Sequence, residues 1–330
     1  MTENAPLFIE YAPMEGVTRA IYRQRHRAMF PGVDRYYAPF LSPSGDGCFS
    51  EKELREVRPE NNAGTPLVPQ LLAGRSEHFA WAAEVLAELG YKVINLNLGC
   101  PSGTVVTKHK GAGALRDVSE LDRLLEGCVR ACEKTGLRLS VKTRIGWESP
   151  GEFPAILAVL CRYPLEELIL HPRVRAQFYG GAVCREAIGL ALDRSPAPVC
   201  VSGDLFSPAA VESLRREYPA LGRIMLGRGI TADPALARQV RGGQPLSGEE
   251  LHRFHEALLL DYTCQIRGEV NVLHKMKELW TYWIRMFPGE ERRLKTIQKA
   301  RTLLDLRRGS EAIFAACHPA ETPFFGPAAG

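Results

Sequence analysis

Short apolar runs rich in β-branched residues recur along the first two-thirds of the chain, and segments with helical spacing separate them. This alternation is typical of a parallel sheet whose strands are joined by crossover helices. Eight such runs can be counted, at residues 8–12, 35–38, 67–71, 93–96, 139–142, 167–170, 199–202 and 223–226. Because eight parallel strands close a (β/α)8 barrel, we predict an α/β fold of the TIM-barrel type.

The segments between the runs predict the outer helices of the barrel. Residues 77–89 and 119–134 carry apolar side chains at helical spacing, and each segment ends at a glycine. After Gly243 the strand pattern stops, and three helices are predicted, over 248–266, 271–287 and 290–307. The predicted organisation is therefore a catalytic barrel domain at 1–243, a helical domain at 244–318 and a flexible tail at 319–330.

Charge is distributed unevenly along the 330 residues. The net charge is +4, but residues 266–308 contain eleven Lys or Arg against five Asp or Glu, a local charge of +6. A basic face on one module suits a polyanion such as RNA, because phosphate contacts dominate affinity for nucleic acids. The alternative interpretation of the charge alone is a solvated helical face.

The sequence also limits the cellular setting. No stretch approaches the roughly 18 uninterrupted apolar residues of a membrane span, and the N-terminus lacks a signal-peptide pattern, so neither a membrane nor export is expected. Nine cysteines without a compact framework fit a reducing compartment better than disulfides. We therefore expect a cytoplasmic protein with free thiols. No Cys/His cluster has metal-ligand spacing, so no metal is predicted.

Polar residues and glycines follow almost every predicted strand. In a barrel the loops at the carboxyl ends of the strands form the active site, so these residues are expected to share one pocket. The candidate site residues at these strand ends are, in chain order, Pro13 and Met14, Gln70, Asn97 and Cys100, Lys142 and Arg144, His171 and Arg173, Ser202, Gly203 and Asp204, and Gly227 and Arg228.

Two of these loops are glycine turns, after the seventh and eighth predicted strands. Backbone N–H groups exposed at these positions form the usual phosphate site of a barrel, and Arg228 would add positive charge. Lys142 and His171 would point inward, where they could stabilise a developing anion such as a reduced flavin ring. Taken singly, Lys142 could equally pair with a carboxylate, and His171 could be a core histidine.

Cys100 stands apart from the other cysteines because of its surroundings. It follows a predicted strand, between Gly99 and Pro101, on a loop that continues through the basic residues 108–110. A thiol in an electropositive loop can deliver a proton, take one, or act as a nucleophile.

Several motifs, read together, resemble the dihydrouridine synthase family. They are APMEGVT at 12–18, NLGCPS at 97–102, KGAGAL at 110–115, VKTRIGW at 141–147 and LGRG at 226–229. The predicted C-terminal helices, especially the segment at 275–283, are similar to the RNA-binding helical domain of that family. The most specific element is the one that contains Cys100, since glycine turns also occur in other flavin barrels.

The resemblance implies a chemistry. A bound FMN would be reduced by NADPH, hydride would pass from the flavin to C6 of a uracil in RNA, and Cys100 would protonate C5. It implies that Met14, Gln70, Lys142 and His171 contact the flavin ring and that Ser202, Gly203, Asp204, Gly227 and Arg228 surround the phosphate. Pro13 and Arg173 are expected to be further cofactor contacts. The substrate residues would be Asn97, Arg144 and Lys275. The expected partner is tRNA, and the expected state is a monomer.

The chain departs from the family pattern at three places. Ala38-Pro39-Phe40 stands where Thr-Glu-Met is common, Ser202 replaces an Asn, and Pro172 follows His171 in place of Gly or Ala. Other functions also stay open at this point. They are the same reaction on rRNA, a flavin barrel that acts on a free pyrimidine as dihydroorotate dehydrogenases do, an inactive RNA-binding homologue, and a phosphate-sugar isomerase, which would have no use for the Cys100 loop.

Overall fold

The computed structural model describes residues 6–325, which form a closed parallel barrel followed by helices. Its strands are β1 (Phe8–Tyr11), β2 (Arg35–Tyr37), β3 (Leu67–Val68), β4 (Gln70–Leu71), β5 (Val93–Leu98), β6 (Arg138–Arg144), β7 (Glu167–His171), β8 (Val199–Ser202) and β9 (Arg223–Leu226). They pair in the order β3-β2-β1-β9-β8-β7-β6-β5-β4. Every pairing is parallel.

The two ends of this strand order, β3 and β4, are consecutive in the chain. Only Pro69 separates them, and proline lacks the N–H that a strand would donate at that point. The two short strands therefore occupy one position, and the sheet closes on itself with eight positions. The predicted (β/α)8 barrel is confirmed, and each predicted run corresponds to one of the eight positions.

In the part of the chain that the structure describes, ten α-helices accompany the barrel strands. They are α1 (Ala20–Met29), α2 (Glu51–Val57), α3 (Ser76–Glu88), α4 (Gly103–Val106), α5 (Val118–Thr135), α6 (Phe153–Leu160), α7 (Arg185–Arg194), α8 (Pro208–Glu217), α9 (Arg228–Ala232) and α10 (Leu236–Val240). The predicted outer helices correspond to α3 and α5. Asp117 caps the N-terminus of α5, and the left-handed Gly136 ends it.

Four further helices follow: α11 (Gly248–Gln265), α12 (Glu269–Trp283), α13 (Glu291–Lys299) and α14 (Leu303–Phe314). The prediction of a single helix over 290–307 is wrong. Ala300 adopts an extended ψ of 136°, and Thr302 begins a new helix with a capping box to Asp305. The division into a barrel domain, a helical domain and a tail stays a prediction, and residues 326–330 of that tail lie outside the described residues.

The floor of the barrel is a buried polar cluster at the amino-terminal ends of the strands. The Arg35 and Arg223 guanidiniums bind the buried carboxylate of Glu167, and Arg35 also reaches Glu10, which is buried as well. Tyr37 donates to both carboxylates. Burial, and next the neighbouring Glu167, raise the pKa of Glu10. Because arginines and a tyrosine occupy this cluster, it closes the lower end and leaves the carboxyl end for the site.

Aromatic packing joins the C-terminal helices to the barrel. Phe254 of α11 packs edge-to-face on Tyr22 and Phe30 of the barrel, and it also contacts Trp283 of α12. Trp283 is fully buried. This contact packs the last turn of α12 against α11, whose Phe254 in turn lies on Tyr22 and Phe30. Within residues 6–325, no helix is long and apolar enough to cross a membrane.

Candidate active site

A cavity of about 250 Å³ opens at the carboxyl ends of the barrel strands. Twelve of the predicted site residues line it: Pro13, Met14, Asn97, Cys100, Lys142, Arg144, His171, Ser202, Gly203, Asp204, Gly227 and Arg228. Three do not, namely Gln70, Arg173 and Lys275. The shared pocket expected from the strand ends is therefore present, and the three exceptions lie behind or beside its wall.

Gln70 lies beneath the cavity as part of a chain of amides. Its Nε2 donates to Asn95 Oδ1 at 2.7 Å, and its Oε1 accepts from Asn97 Nδ2 at 2.8 Å. Asn97 Oδ1 in turn accepts from the backbone N–H of Cys100 at 2.9 Å. Gln70 is fully buried and is not among the residues that line the cavity, and its contact with a flavin ring stays a prediction. Its visible role is to orient Asn97, which holds the backbone at Cys100.

The Cys100 loop, residues 99–113, is folded back on itself. The carbonyl oxygen of Cys100 accepts from the N–H of Ala112 at 3.0 Å, and the short helix α4 lies between these two residues. The thiol is partly buried on the cavity wall, and burial is the main cause that raises its pKa above the ordinary value. At neutral pH the thiol is therefore protonated, as a proton donor must be.

Arg144 ties this loop to the barrel. Its Nε donates to the carbonyl of Gly99 at 2.9 Å, and its Nη1 donates to the carbonyl of Val174 at 3.0 Å. Burial lowers the pKa of Arg144 to about 10, so the guanidinium keeps its charge at neutral pH. Arg144 therefore positions the loop and also places a cation on the cavity wall.

Lys142 and His171 stand on neighbouring strands in different charge states. Burial, and next the neighbouring Arg144, lower the pKa of Lys142 to about 8. Burial and the surrounding cations, of which Lys142 is the largest contributor, hold the pKa of His171 well below its usual range. The imidazole is therefore neutral. Arg173 Nη1 lies 3.4 Å from His171 Nε2, and since arginine can only donate, this nitrogen accepts and Nδ1 carries the hydrogen.

The loops after β8 and β9 form a glycine-lined corner of the cavity. Gly203 has a φ of +114°, and a Cβ there would lie 3.0 Å from His171 Cδ2. Asp204 accepts from Arg228 Nη2 at 2.7 Å and is also paired with Arg173. Arg173 is buried behind Asp204 and so supports the corner without lining it. Two cations on one carboxylate leave this corner with a net positive charge.

Comparison with known proteins decides the family. The family model described as dihydrouridine synthase (Dus) matches residues 10–309. The chain belongs to the dihydrouridine synthase family. A probable tRNA-dihydrouridine synthase of Rhodobacter capsulatus is 28% identical over 231 residues, 69% of each chain. A tRNA-dihydrouridine(16) synthase of Ralstonia nicotianae is 28% identical over 291 residues, which cover 83% of this chain and 86% of that protein.

Solved structures with low sequence identity share the fold of this dihydrouridine synthase family member. Morphinone reductase superposes with a TM-score of 0.53 at 13% identity, covering 74% of this chain and 91% of that one. The old yellow enzyme from Trypanosoma cruzi gives a TM-score of 0.53 at 10% identity, covering 77% and 93%. These matches agree with the barrel described above.

Aromatic side chains of the cavity wall were not predicted as site residues. Tyr179 and Phe206 come from the loops after β7 and β8, and Tyr282 comes from α12. Phe40 was noted only as a departure from the family pattern. Tyr179 keeps 48% of its surface exposed at the rim. Aromatic residues at loop positions were the available signal for the first two, whereas the helical spacing around Tyr282 is equally typical of a packing residue.

Lys275 lies beside the cavity in a separate basic groove. Its Nζ donates to the carbonyl of Gly16 at 2.7 Å and binds Glu278, so it ties α12 to the loop after β1. The groove, of about 1210 Å³, runs between α1 and α2 on one side and α11 and α12 on the other. The exposed side chains of Lys52, Arg55 and Arg267 line it. One helix, α12, thus borders both the groove and the cavity.

Proposed function

We propose that this protein is an FMN-dependent tRNA-dihydrouridine synthase, which uses NADPH as reductant to convert a uridine in tRNA to 5,6-dihydrouridine. The single observation that carries the proposal is the position of Cys100, a protonated thiol that shares one cavity with a positively charged glycine-lined corner. The names of the relatives and the family match support the same reaction.

The residues of the cavity fit FMN. The glycine-lined corner offers backbone at Gly203, Gly227 and Gly229, and the Arg228 guanidinium supplies charge for the phosphate dianion. Lys142 and His171 stand deeper in the same cavity, where a flavin ring would need a cation and a neutral donor. When bound, FMN supplies the hydride for C6 of the uracil.

Lys142 and His171 have different electrostatic roles, because Lys142 is charged and His171 is neutral. The Lys142 ammonium favours negative charge on a group beside it, and it acts strongly because burial removes competing water. His171 is a neutral imidazole with one N–H to donate, and it adds no charge of its own. Arg144 and Arg228 add two further cations to the cavity wall, which also carries the carboxyl groups of Glu15 and Asp204.

Cys100 delivers the proton to C5 of the uracil. Its raised pKa keeps the proton on sulfur at neutral pH, and the Cys100 loop holds the thiol at the wall through Asn97 and Arg144. Asn97 also faces the cavity, where its amide could border the uracil edge. The proton on carbon therefore comes from the protein and not from bulk water.

The basic groove is the proposed surface for tRNA. A uridine must leave its stack to enter a barrel cavity, so the RNA backbone must be held near the rim while the base is extruded. Lys52, Arg55 and Arg267 offer exposed charge along the groove, and Lys275 lies where the groove meets the loop at Gly16. Spread cationic side chains suit recognition of a folded RNA by shape and phosphate contacts.

The test is a position-resolved map of dihydrouridine in total RNA from cells with and without this protein, read by reverse-transcription stops after borohydride treatment. Loss of signal at a tRNA position is expected. Loss at an rRNA position would keep the reaction and change the substrate. No loss anywhere would contradict the proposal and favour a free pyrimidine or an inactive RNA-binding homologue.

The same assay, in cells complemented with variants of the protein, tests the proposed role of Cys100 as proton donor. Cys100→Ala is expected to retain FMN and tRNA binding and to lower product formation by about 10² to 10⁴, the usual contribution of a positioned acid. Cys161→Ala is the matched control, because this half-buried thiol at the end of α6 lies away from the cavity. Full activity of the Cys100 variant would remove the acid role.

A further inference from the structure

The last described residues fold back onto the rim of the cavity. The N–H of Ala320 donates to the carbonyl of Met286 at 2.7 Å, and the N–H of Phe324 donates to the carbonyl of Arg285 at 2.8 Å. The ring of Phe325 then stacks on Phe206, with centroids 4.3 Å apart and planes at 25°. Since Phe206 lines the cavity, residues 320–325 of the predicted tail reach the site itself.

The stacked rings of Phe206 and Phe325 lie beside the guanidinium of Arg228. Its guanidinium carbon lies 4.6 Å from the ring centroid of Tyr179, 5.3 Å from that of Phe206 and 5.6 Å from that of Phe325. Arg285 lies over the outer side of Phe325, at 5.9 Å. Three aromatic rings therefore surround the one cation that the glycine-lined corner presents, and the ion pair with Asp204 fixes a fourth side.

We infer that Phe325 is a positioning residue for Arg228, and that through it the C-terminal segment prepares the corner for the phosphate ester of the cofactor. The inference rests on the proposed function, because it takes FMN as the ligand. An arginine side chain loses rotational freedom about several bonds when it binds a phosphate. A guanidinium that is already held between aromatic rings and a carboxylate has less of this freedom to lose, so its binding costs less conformational entropy. Phe325 touches Arg228 and Phe206, so its influence on the cofactor passes through these two side chains.

Comparing the binding of riboflavin and FMN distinguishes the positioning of Arg228 from simple covering of the cavity by the C-terminal segment. It has the same ring as FMN and no phosphate, so it cannot use Arg228 as a phosphate ligand. A segment that only covers the ring would protect both compounds equally. A segment that positions Arg228 matters to FMN alone.

The experiment titrates the flavin-free full-length protein with FMN and with riboflavin, and follows flavin fluorescence. Phe325→Ala is expected to weaken FMN binding by about fivefold and to leave riboflavin binding within about twofold. Phe324→Ala is the matched control, because this neighbour keeps 59% of its surface exposed. Phe325→Tyr preserves the stacked ring and is expected to restore FMN affinity.

Three results would overturn the inference. They are an unchanged FMN affinity in Phe325→Ala, an equal loss for FMN and riboflavin, and an equal loss in the Phe324→Ala control. Failure of the wild-type protein to bind FMN would instead contradict the proposed function, together with this inference. Because the wild-type titration tests the first and the variant ratio tests the second, the two failures are distinguishable.

Discussion

At the scale of single residues, burial sets the chemistry of the cavity. Desolvation is the first cause of the raised pKa of Cys100 and of the lowered pKa values of Lys142 and His171. It therefore keeps the thiol protonated and the imidazole neutral while Lys142 still carries its charge near pH 7. Burial thus makes Cys100 a proton donor, His171 a neutral hydrogen-bond donor and Lys142 a buried cation.

The thiol of Cys100 is expected to ionise at a higher pH than an unperturbed thiol. Because burial disfavours the thiolate, alkylation by iodoacetamide at Cys100 should reach half its maximal rate at a higher pH than alkylation of a cysteine in an unstructured peptide, whose pKa is about 8.5. Peptide mass spectrometry after timed alkylation measures this. A half-maximal pH below that of the free thiol would show a thiolate, and Cys100 would then be unsuited to the role of acid.

Lys142→Met is expected to lower the reduction potential of bound FMN by about 30 mV, because a buried cation favours the added negative charge of the reduced ring. The pKa of Lys142 is lowered to about 8, so the wild-type protein loses this charge as pH rises through that value. The difference between wild type and variant should therefore shrink above about pH 8. Dye-coupled potentiometry at several pH values measures it, and a pH-independent difference would contradict the assignment.

At the scale of elements, the two glycine turns work as one unit. A Cβ on Gly229, at the start of α9, would lie 2.3 Å from the carbonyl oxygen of Leu205, in the loop after β8. Backbone atoms cannot retreat as a flexible side chain can, so the close contact of these loops requires a residue without Cβ. The corner proposed for the phosphate depends on this contact.

Gly229→Ala is expected to separate the two loops, to cost about 1 to 3 kcal/mol of folding stability and to weaken FMN binding. Gly222→Ala is the control, because a Cβ there would meet nothing within 4 Å, at the opposite end of β9. Urea unfolding and FMN titration measure the two effects. Equal stability and equal FMN affinity of both variants would show that the loops do not need their close contact.

At the scale of the whole molecule, the C-terminal helices serve both the groove and the cavity. α12 contributes Lys275 to the groove and Tyr282 to the cavity wall, and its last turn is fixed by Trp283. Because α12 borders both, it would fix the position of a tRNA bound in the groove relative to the cavity. Of the basic residues of α13, Arg292, Lys295 and Lys299 are exposed, whereas Arg293 binds Glu290 and the carbonyl of Ala312.

The double charge reversal Lys52→Glu with Arg55→Glu is expected to weaken tRNA binding and to make it less dependent on salt. Each lost phosphate contact should reduce the slope of log K against log salt by about 0.7 to 0.9. Filter binding at several salt concentrations measures it, and FMN content should not change. Arg216→Glu on α8, which does not line the groove, is the control. An equal loss of tRNA affinity in the double variant and in this control would show that the RNA binds elsewhere.

Reversal at Arg292 and Lys295 tests whether the RNA surface extends from the groove to α13. A further fall of the salt slope is expected in the combined variant, because both side chains are exposed to solvent and can contact phosphates. Arg293 is left unchanged, since its replacement would also disturb the packing of α13 on α14. An unchanged slope would confine the surface to the groove.

The sequence by itself determined the barrel and most of its site. The eight runs and the residues after them could be assigned because strand periodicity is local, and because parallel strands bring their carboxyl ends to one edge. Cys100, Lys142, His171 and the glycine turns follow from that rule alone. The family motifs strengthened the assignment of the family, which the family match confirms, whereas the roles of these site residues stay predictions.

Only the tertiary structure decided which side chains face the cavity. Gln70 and Arg173 occupy strand-end positions yet turn to Asn97 and Asp204, and Tyr282 and Phe325 reach the site from helices and a tail far along the chain. Contacts of this kind depend on how separate elements pack and on which partner satisfies each buried polar group. Local periodicity contains neither, because both are fixed only when the chain has folded.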